Sequence, residues 1–163
     1  MILGVVSDTH NRLSNVEKII DIFNEKNVDK VIHTGDITQA KTLGRFSRLN
    51  CPLIGVYGNN DLEEKGLKDI ARQNGFNFQL PPLVTQIGDK KIAIFHEPDD
   101  INNFLENYPE ISLVLHGHTH SYQNEEFKGT RIFNPGECSG IMKGKNAIGL
   151  VDTRNMNIKR IFF

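Results

Sequence analysis

Ile2-Leu3-Gly4-Val5-Val6-Ser7-Asp8-Thr9-His10 is the stretch on which the rest of the chain is read. Its first part is a short apolar run rich in β-branched residues, which predicts a strand. It ends on a carboxylate and an imidazole. The arrangement recurs along the chain: Gly35-Asp36 follows Val28–His33, Gly58-Asn59-Asn60-Asp61 follows Leu53–Tyr57, His96 follows Lys91–Phe95, and Gly117-His118-Thr119-His120 follows Ser112–His116. Segments this far apart converge on one point only if the runs before them are neighbouring strands of a sheet. In open α/β sheets, ligands collect beyond the carboxyl ends of the strands, where all of these side chains fall. Gly35, Gly58 and Gly117 suit sharp exits from a strand and close backbone approach to a bound group.

The donors are carboxylate, amide and imidazole, with no thiolate. They suit manganese, iron, zinc, cobalt or nickel, and there are enough of them for two ions. Two divalent ions about 3.5–4 Å apart form the usual clamp for attack of water on a phosphate ester. The residues therefore read as a dinuclear metal hydrolase. Each segment also has an ordinary reading on its own. Asp8 and Asp36 could be turn formers, and His10 and His96 satisfied core or rim histidines. His116-Gly117-His118-Thr119-His120 resists this, because alternate histidines in an extended segment project from one side.

Around these segments the first half alternates strand and helix. Ser14-Asn15-Val16-Glu17 has a capping-box pattern, and Val16, Ile19, Ile20 and Phe23 follow at helical spacing. Helices are also expected over Thr38–Leu49 and Leu62–Asn74. This β-α-β-α-β order predicts parallel strands with right-handed crossovers. In the second half, Gly88-Asp89 between Leu83–Ile87 and Lys91–Phe95 signals a hairpin. A helix over Asp99–Tyr108 comes next. Short strands follow at Glu125–Lys128, Arg131–Asn134, Ala147–Val151 and Ile158–Phe163, with a loop or turn over Gly140–Lys145. Residues 1–163 read as one α/β domain, with two sheets face to face and helices outside.

Composition narrows the setting. Acidic and basic residues nearly balance, 20 against 19, which argues against long nucleic acids as partners. No apolar stretch reaches the length of a membrane span, and no leader pattern precedes the first strand, so the expected location is the cytoplasm. Cys51 and Cys138 are too far apart for a metal-binding pair. They leave one disulfide open, with buried thiols in a reducing compartment as the favoured reading.

Asp8-x-His10, Gly35-Asp36, Gly58-Asn59-x-Asp61, His96 and Gly117-His118-x-His120 resemble the ordered signature of the calcineurin-like metallophosphoesterase superfamily. The small size most resembles its compact prokaryotic phosphodiesterase branch, and the likeness runs from Ile2 to Gly136. The resemblance implies a four-layer α-β-β-α sandwich of two mixed sheets, and a small phosphodiester as the substrate. It also implies that Asp8, His10, Asp36 and His120 hold one metal, while Asp36, Asn59, His96 and His118 hold the other, with Asp36 bridging. Asp61 would orient the Asn59 loop. Hydrolysis would proceed by in-line attack of a hydroxide bridging the metals, with Asp36, Asn59, Asn60 and His118 nearest the chemistry. Arg12 and Asn60 are the weaker candidates for contacts to the phosphate.

Two departures from the pattern stand out. Asn60 occupies a position where the superfamily often has histidine; an amide can donate a hydrogen bond but cannot deliver a proton, which favours esters with good leaving groups and predicts weak monoester turnover. Glu97 follows His96 where many relatives have glycine, and is expected to reshape the rim. His33 and His116 match no ligand position and are read as structural. The metallo-β-lactamase pattern fails at Ser121 and leaves Asp8, Asp36 and Asn59 unexplained. The alternative from another class is a non-catalytic interaction scaffold, since the eukaryotic retromer subunit resembles the same compact branch. Ile161-Phe162-Phe163 would be its candidate apolar patch, although an ordinary final strand accounts for it as well.

Overall fold

Period-two burial along the strands sets the architecture. The computed structural model describes residues 1–163. The strands are β1 (Ile2–Val6), β2 (Lys30–His33), β3 (Leu53–Val56), β4 (Asn77–Gln79), β5 (Leu83–Ile87), β6 (Lys90–Ile94), β7 (Leu113–Leu115), β8 (Gln123–Phe127), β9 (Thr130–Asn134), β10 (Ala147–Asp152) and β11 (Asn157–Phe162). The helices are α1 (Leu13–Glu25), α2 (Ala40–Arg45), α3 (Leu67–Gln73) and α4 (Ile101–Asn107). Six strands form one sheet in the order β11-β10-β1-β2-β3-β4, and five form the other in the order β5-β6-β7-β9-β8. Both are mixed. β1 to β4 run parallel and β10 joins them antiparallel; β6, β7 and β9 are parallel, flanked by antiparallel β5 and β8.

Leu3 and Val5 of β1, Ile32 of β2, Ile54 and Val56 of β3 meet Ile92 and Ile94 of β6, Leu113 and Leu115 of β7, and Phe133 of β9 between the sheets. Alternate residues face outward. Val6, Val31 and Leu53 pack under α1 to α3 with Val16, Ile19, Ile20 and Phe23. Ala93, Phe95 and Val114 pack under α4 with Ile101 and Leu105. The layers are therefore α-β-β-α, as the resemblance implied.

Several local expectations give way to stronger interactions. Ser14 does not cap α1. The helix begins at Leu13 behind Arg12, and no side chain bonds its first turn. α2 starts at Ala40 rather than Thr38, because the Thr38 N–H donates to Asp61 Oδ1 at 2.6 Å and its φ is 68°. α3 starts at Leu67 rather than Leu62, behind Gly66 at φ 85°. β4, an edge strand of three residues, carries no periodic signal and was not expected. The Gly88-Asp89 hairpin forms, with Ile87 opposite Lys90. Neither cysteine is paired: Cys138 is buried and its thiol faces the Ala147 carbonyl at 3.2 Å, while Cys51 is half-buried. Ile161 and Phe163 pack against the core, leaving Phe162 outside under the Arg160 guanidinium. No helix is long and apolar enough to cross a membrane.

Candidate metal centre

The loops leaving β1, β2, β3, β6 and β7 meet at one end of the two sheets. Asp8 is fully buried. Its Oδ2 accepts from Ser7 Oγ at 2.5 Å and from the His118 N–H at 3.1 Å, so Oδ1 is left facing His120 Nε2, 3.5 Å away. His10 lies beside it, with ring centroids of His10 and His120 5.6 Å apart. Donor atoms of Asp8, His10 and His120 all fall within 4.8 Å of one another, as do those of Asp8, Asp36 and His96.

Asp36, a member of the second group, also faces the first. Its Oδ2 is 3.8 Å from His10 Nε2 and its Oδ1 is 3.4 Å from His96 Nε2. On the far side, Asn59 Oδ1 lies 2.9 Å from His96 Nε2 and 3.2 Å from His118 Nδ1. His96 Nδ1 stands 2.8 Å from the Thr34 carbonyl, which can only accept, so the proton is on Nδ1 and Nε2 presents its lone pair to the centre. Nε2 of His96, Oδ1 of Asn59 and Oδ1 of Asp36 are then acceptors converging with no donor among them.

That arrangement fits a cation. Ligand atoms about 2.0–2.2 Å from one ion stand about 3–3.5 Å apart, close to the carboxylate–imidazole separations found here. Asp8 Oδ1 and His10 Nε2 are also buried without a hydrogen-bond partner, a costly state unless a metal satisfies them. Without a cation, the same crowding of acceptors is relieved by protons on the imidazoles. Burial alone would raise the Asp36 carboxyl, but hydrogen bonds with His96 and Asn60 hold it well below the ordinary carboxylate range. His120 is pushed up, first by the Asp8 carboxylate beside it. His96 is pushed up as well: burial opposes charge there, and Asp36 outweighs it.

Supporting groups hold the loops in place. Asp61 accepts from the backbone N–H of Asp36 at 2.9 Å, of Thr38 at 2.6 Å and of Gly58 at 2.8 Å. It ties the Asp36 loop to the Asn59 loop, a wider task than the expected orientation of the latter. A Cβ at Gly58 would collide with the Asp36 carboxylate, one at Gly35 would come 2.6 Å from His96 Nδ1, and one at Gly117 would lie on Ser7 Oγ. Asn60 points inward: its amide donates to Asp36 Oδ2 at 2.7 Å. Arg12 donates through Nε to the Ser139 carbonyl at 2.9 Å, at the rim.

His33 and His116 stand outside the two donor groups. Burial lowers the His33 pKa to about 3 and keeps its ring neutral. It joins Thr9 Oγ1 and the Gly35 N–H, each at 3.1 Å. His116 faces Gln123 Oε1 at 2.5 Å. The histidine segment is not extended: His118 and His120 have φ of 67° and 55°. The bend sends His118 to Asn59 and His120 to Asp8. Asn134, not singled out from the sequence, secures that bend by donating to the Gly117 carbonyl and Thr119 Oγ1, each at 3.1 Å. The Asn134-Pro135-Gly136 turn signal was its only trace. Glu137, buried and receiving the N–H groups of Gly140 and Met142, had none.

A sequence profile of the calcineurin-like phosphoesterase superfamily domain matches residues 1–156. The chain belongs to this superfamily. Calcineurin-like phosphoesterases hydrolyse phosphate esters with divalent metal ions, and the Asp and His groups above are ones that could hold such an ion in this chain. It is 36% identical to a phosphodiesterase of Methanocaldococcus jannaschii, over 99% of this chain and 98% of that protein. A solved archaeal phosphodiesterase superposes with a TM-score of 0.92 and 34% identity, covering 100% of both chains. Vps29 of Entamoeba histolytica shares the calcineurin-like fold, with a TM-score of 0.71 at 19% identity over 100% of this chain and 99% of that one.

Proposed function

We propose that the chain is a dinuclear metal-dependent phosphodiesterase, weak on monoesters. The observation that carries this is the position of Asp36, one carboxylate whose two oxygens face different donor groups, toward His10 and toward His96. Asp8, His10, Asp36 and His120 would hold one ion, and Asp36, Asn59, His96 and His118 the other. When bound, such ions supply positive charge to phosphoryl oxygens and lower the pKa of coordinated water to about 7.

The chain's own residues account for the rest. Asp8 and Asp36 return fewer negative charges than two divalent ions bring, so the centre favours an anionic diester. Asn60 holds the Asp36 carboxylate through its backbone N–H at 3.0 Å and its side-chain amide. Arg12, fixed at the rim by Ser139, has its terminal N–H groups free to reach a phosphate oxygen. No side chain at the Asn60 position delivers a proton to the leaving oxygen. General acid catalysis contributes typically about 10²–10⁴-fold, so esters with good leaving groups react best. The name of the Methanocaldococcus jannaschii relative supports the diester reading.

The test is hydrolysis of bis(p-nitrophenyl) phosphate and p-nitrophenyl phosphate by chelator-stripped protein, with and without manganese or nickel. Cleavage should require metal and be faster on the diester. Asp36→Asn should bind fewer ions and lose activity by at least about 10²-fold. Full activity in that variant would remove Asp36 from the bridging position. Two bound ions with no hydrolysis would favour a non-catalytic scaffold, a role that does not need the complete donor set this chain retains.

A further inference from the structure

A cavity of about 440 Å³ opens beside the metal centre, with Asn59 and His96 forming part of its wall. The remaining wall divides by chemistry. Tyr57, Leu62, Leu80 and Phe95 supply its apolar surface. Leu62 and Leu80 are 59% and 57% exposed, so their aliphatic surface is open to a ligand. Glu97, Asp99 and Asp100 supply all of its charge, and no lysine or arginine lines it. These carboxylates are exposed, and Asp100 precedes α4 without capping its first turn. A phosphate would be repelled there. The cavity therefore suits what hangs from the phosphate while the phosphate itself lies at the metals.

We propose that this cavity receives one ester arm of the substrate, and that the arm is an organic cation with a short hydrocarbon body, of the alkylammonium type. The proposal rests on the phosphodiesterase reading above. The aliphatic and aromatic wall takes the hydrocarbon, and the carboxylates face the ammonium. The adjoining Asn59 and His96 place that arm next to the phosphorus. Glu97 then sets specificity from the position directly after a metal-centre histidine.

Two esters with one leaving group separate charge from shape: p-nitrophenyl phosphocholine and p-nitrophenyl 3,3-dimethylbutyl phosphate, in which carbon replaces the ammonium nitrogen. KM for the cationic ester should be lower by about fivefold, as expected for solvated charge pairs, and the difference should shrink with added salt. It should vanish in Glu97→Gln/Asp99→Asn/Asp100→Asn. Equal KM values in the parent protein, or a preference that survives in the variant, would overturn the assignment. Titration calorimetry of the manganese-loaded protein with phosphocholine and 3,3-dimethylbutyl phosphate reads the same preference without turnover. If neither ester is cleaved but phosphocholine binds more tightly, the cavity assignment stands and the phosphodiesterase reading falls. Equal affinities overturn the cavity assignment whatever the turnover.

Discussion

Left-handed backbone at a residue bearing a side chain costs of the order of 1–3 kcal/mol, and Asp8, His10, Asp36, His118 and His120 all adopt it. The cost is concentrated on the residues that converge at the centre. Each is held by a neighbour: Asp8 by Ser7 and the His118 N–H, His10 by the Asp36 carbonyl that accepts its N–H, Asp36 by Asn60 and Asp61, the histidine bend by Asn134. Gly117 leaves room for the first of these. A Cβ there would lie on Ser7 Oγ and 2.8 Å from Asp8 Oδ2. Gly117→Ala is therefore expected to destabilise the protein by about 1–3 kcal/mol and to lower its metal content. Urea midpoints and metal analysis of the purified variant check both, and full metal content with native stability would contradict the crowding. The donor identities were legible in the sequence because each ends an apolar run. Their turns were not: left-handed φ at Asp or His leaves no compositional mark, so an extended His118–His120 was the natural and incorrect expectation.

At the level of elements, the strands that carry donors were the easiest to read, since period-two burial writes both faces into Val5-Val6 and Ile92-Ala93-Ile94. Helix starts were the hardest. Ser14 and Glu17 satisfy the capping-box pattern, yet the chain first turns through Thr9, whose carbonyl takes the Arg12 N–H at 3.2 Å, and the helix is already under way at Leu13. Ser14→Ala should thus change stability by less than about 0.5 kcal/mol, where loss of a real cap costs about 1 kcal/mol. Chemical denaturation distinguishes the two. Thr38 makes the same point for α2, because a buried carboxylate from a distant loop claims its N–H. Such long-range bonds override local propensity and cannot be seen in a window of neighbouring residues. β4 escaped for the opposite reason: three mostly exposed residues at a sheet edge have too little pattern to detect.

Across the whole molecule, the buried neutral histidines link folding to acidity. His33 has a pKa of about 3 in the folded chain against 6.5 for the free side chain. Above pH 6.5 neither state carries its proton and stability is full; as pH falls toward 3, the unfolded chain gains the proton first and stability is lost. Between pH 7 and pH 5, metal-free His33→Gln should lose about 2 kcal/mol less than the parent protein in urea unfolding. Identical losses would mean that His33 does not titrate on unfolding. The two sheets also differ in how they are threaded. β5 to β9 are contiguous in the chain, whereas β1 takes β10 as one neighbour, pairing Ile2 with Asp152. During synthesis, the second sheet can close as soon as Asn134 has emerged. β1 must wait with an open edge until the last hairpin arrives, a state prone to pairing with other chains. Ribosome-stalled chains ending shortly after Asn134 should accordingly resist protease over β5 to β9 while β1 to β4 are still cut, so that the metal centre, built from both sheets, is the last part of the protein to be born.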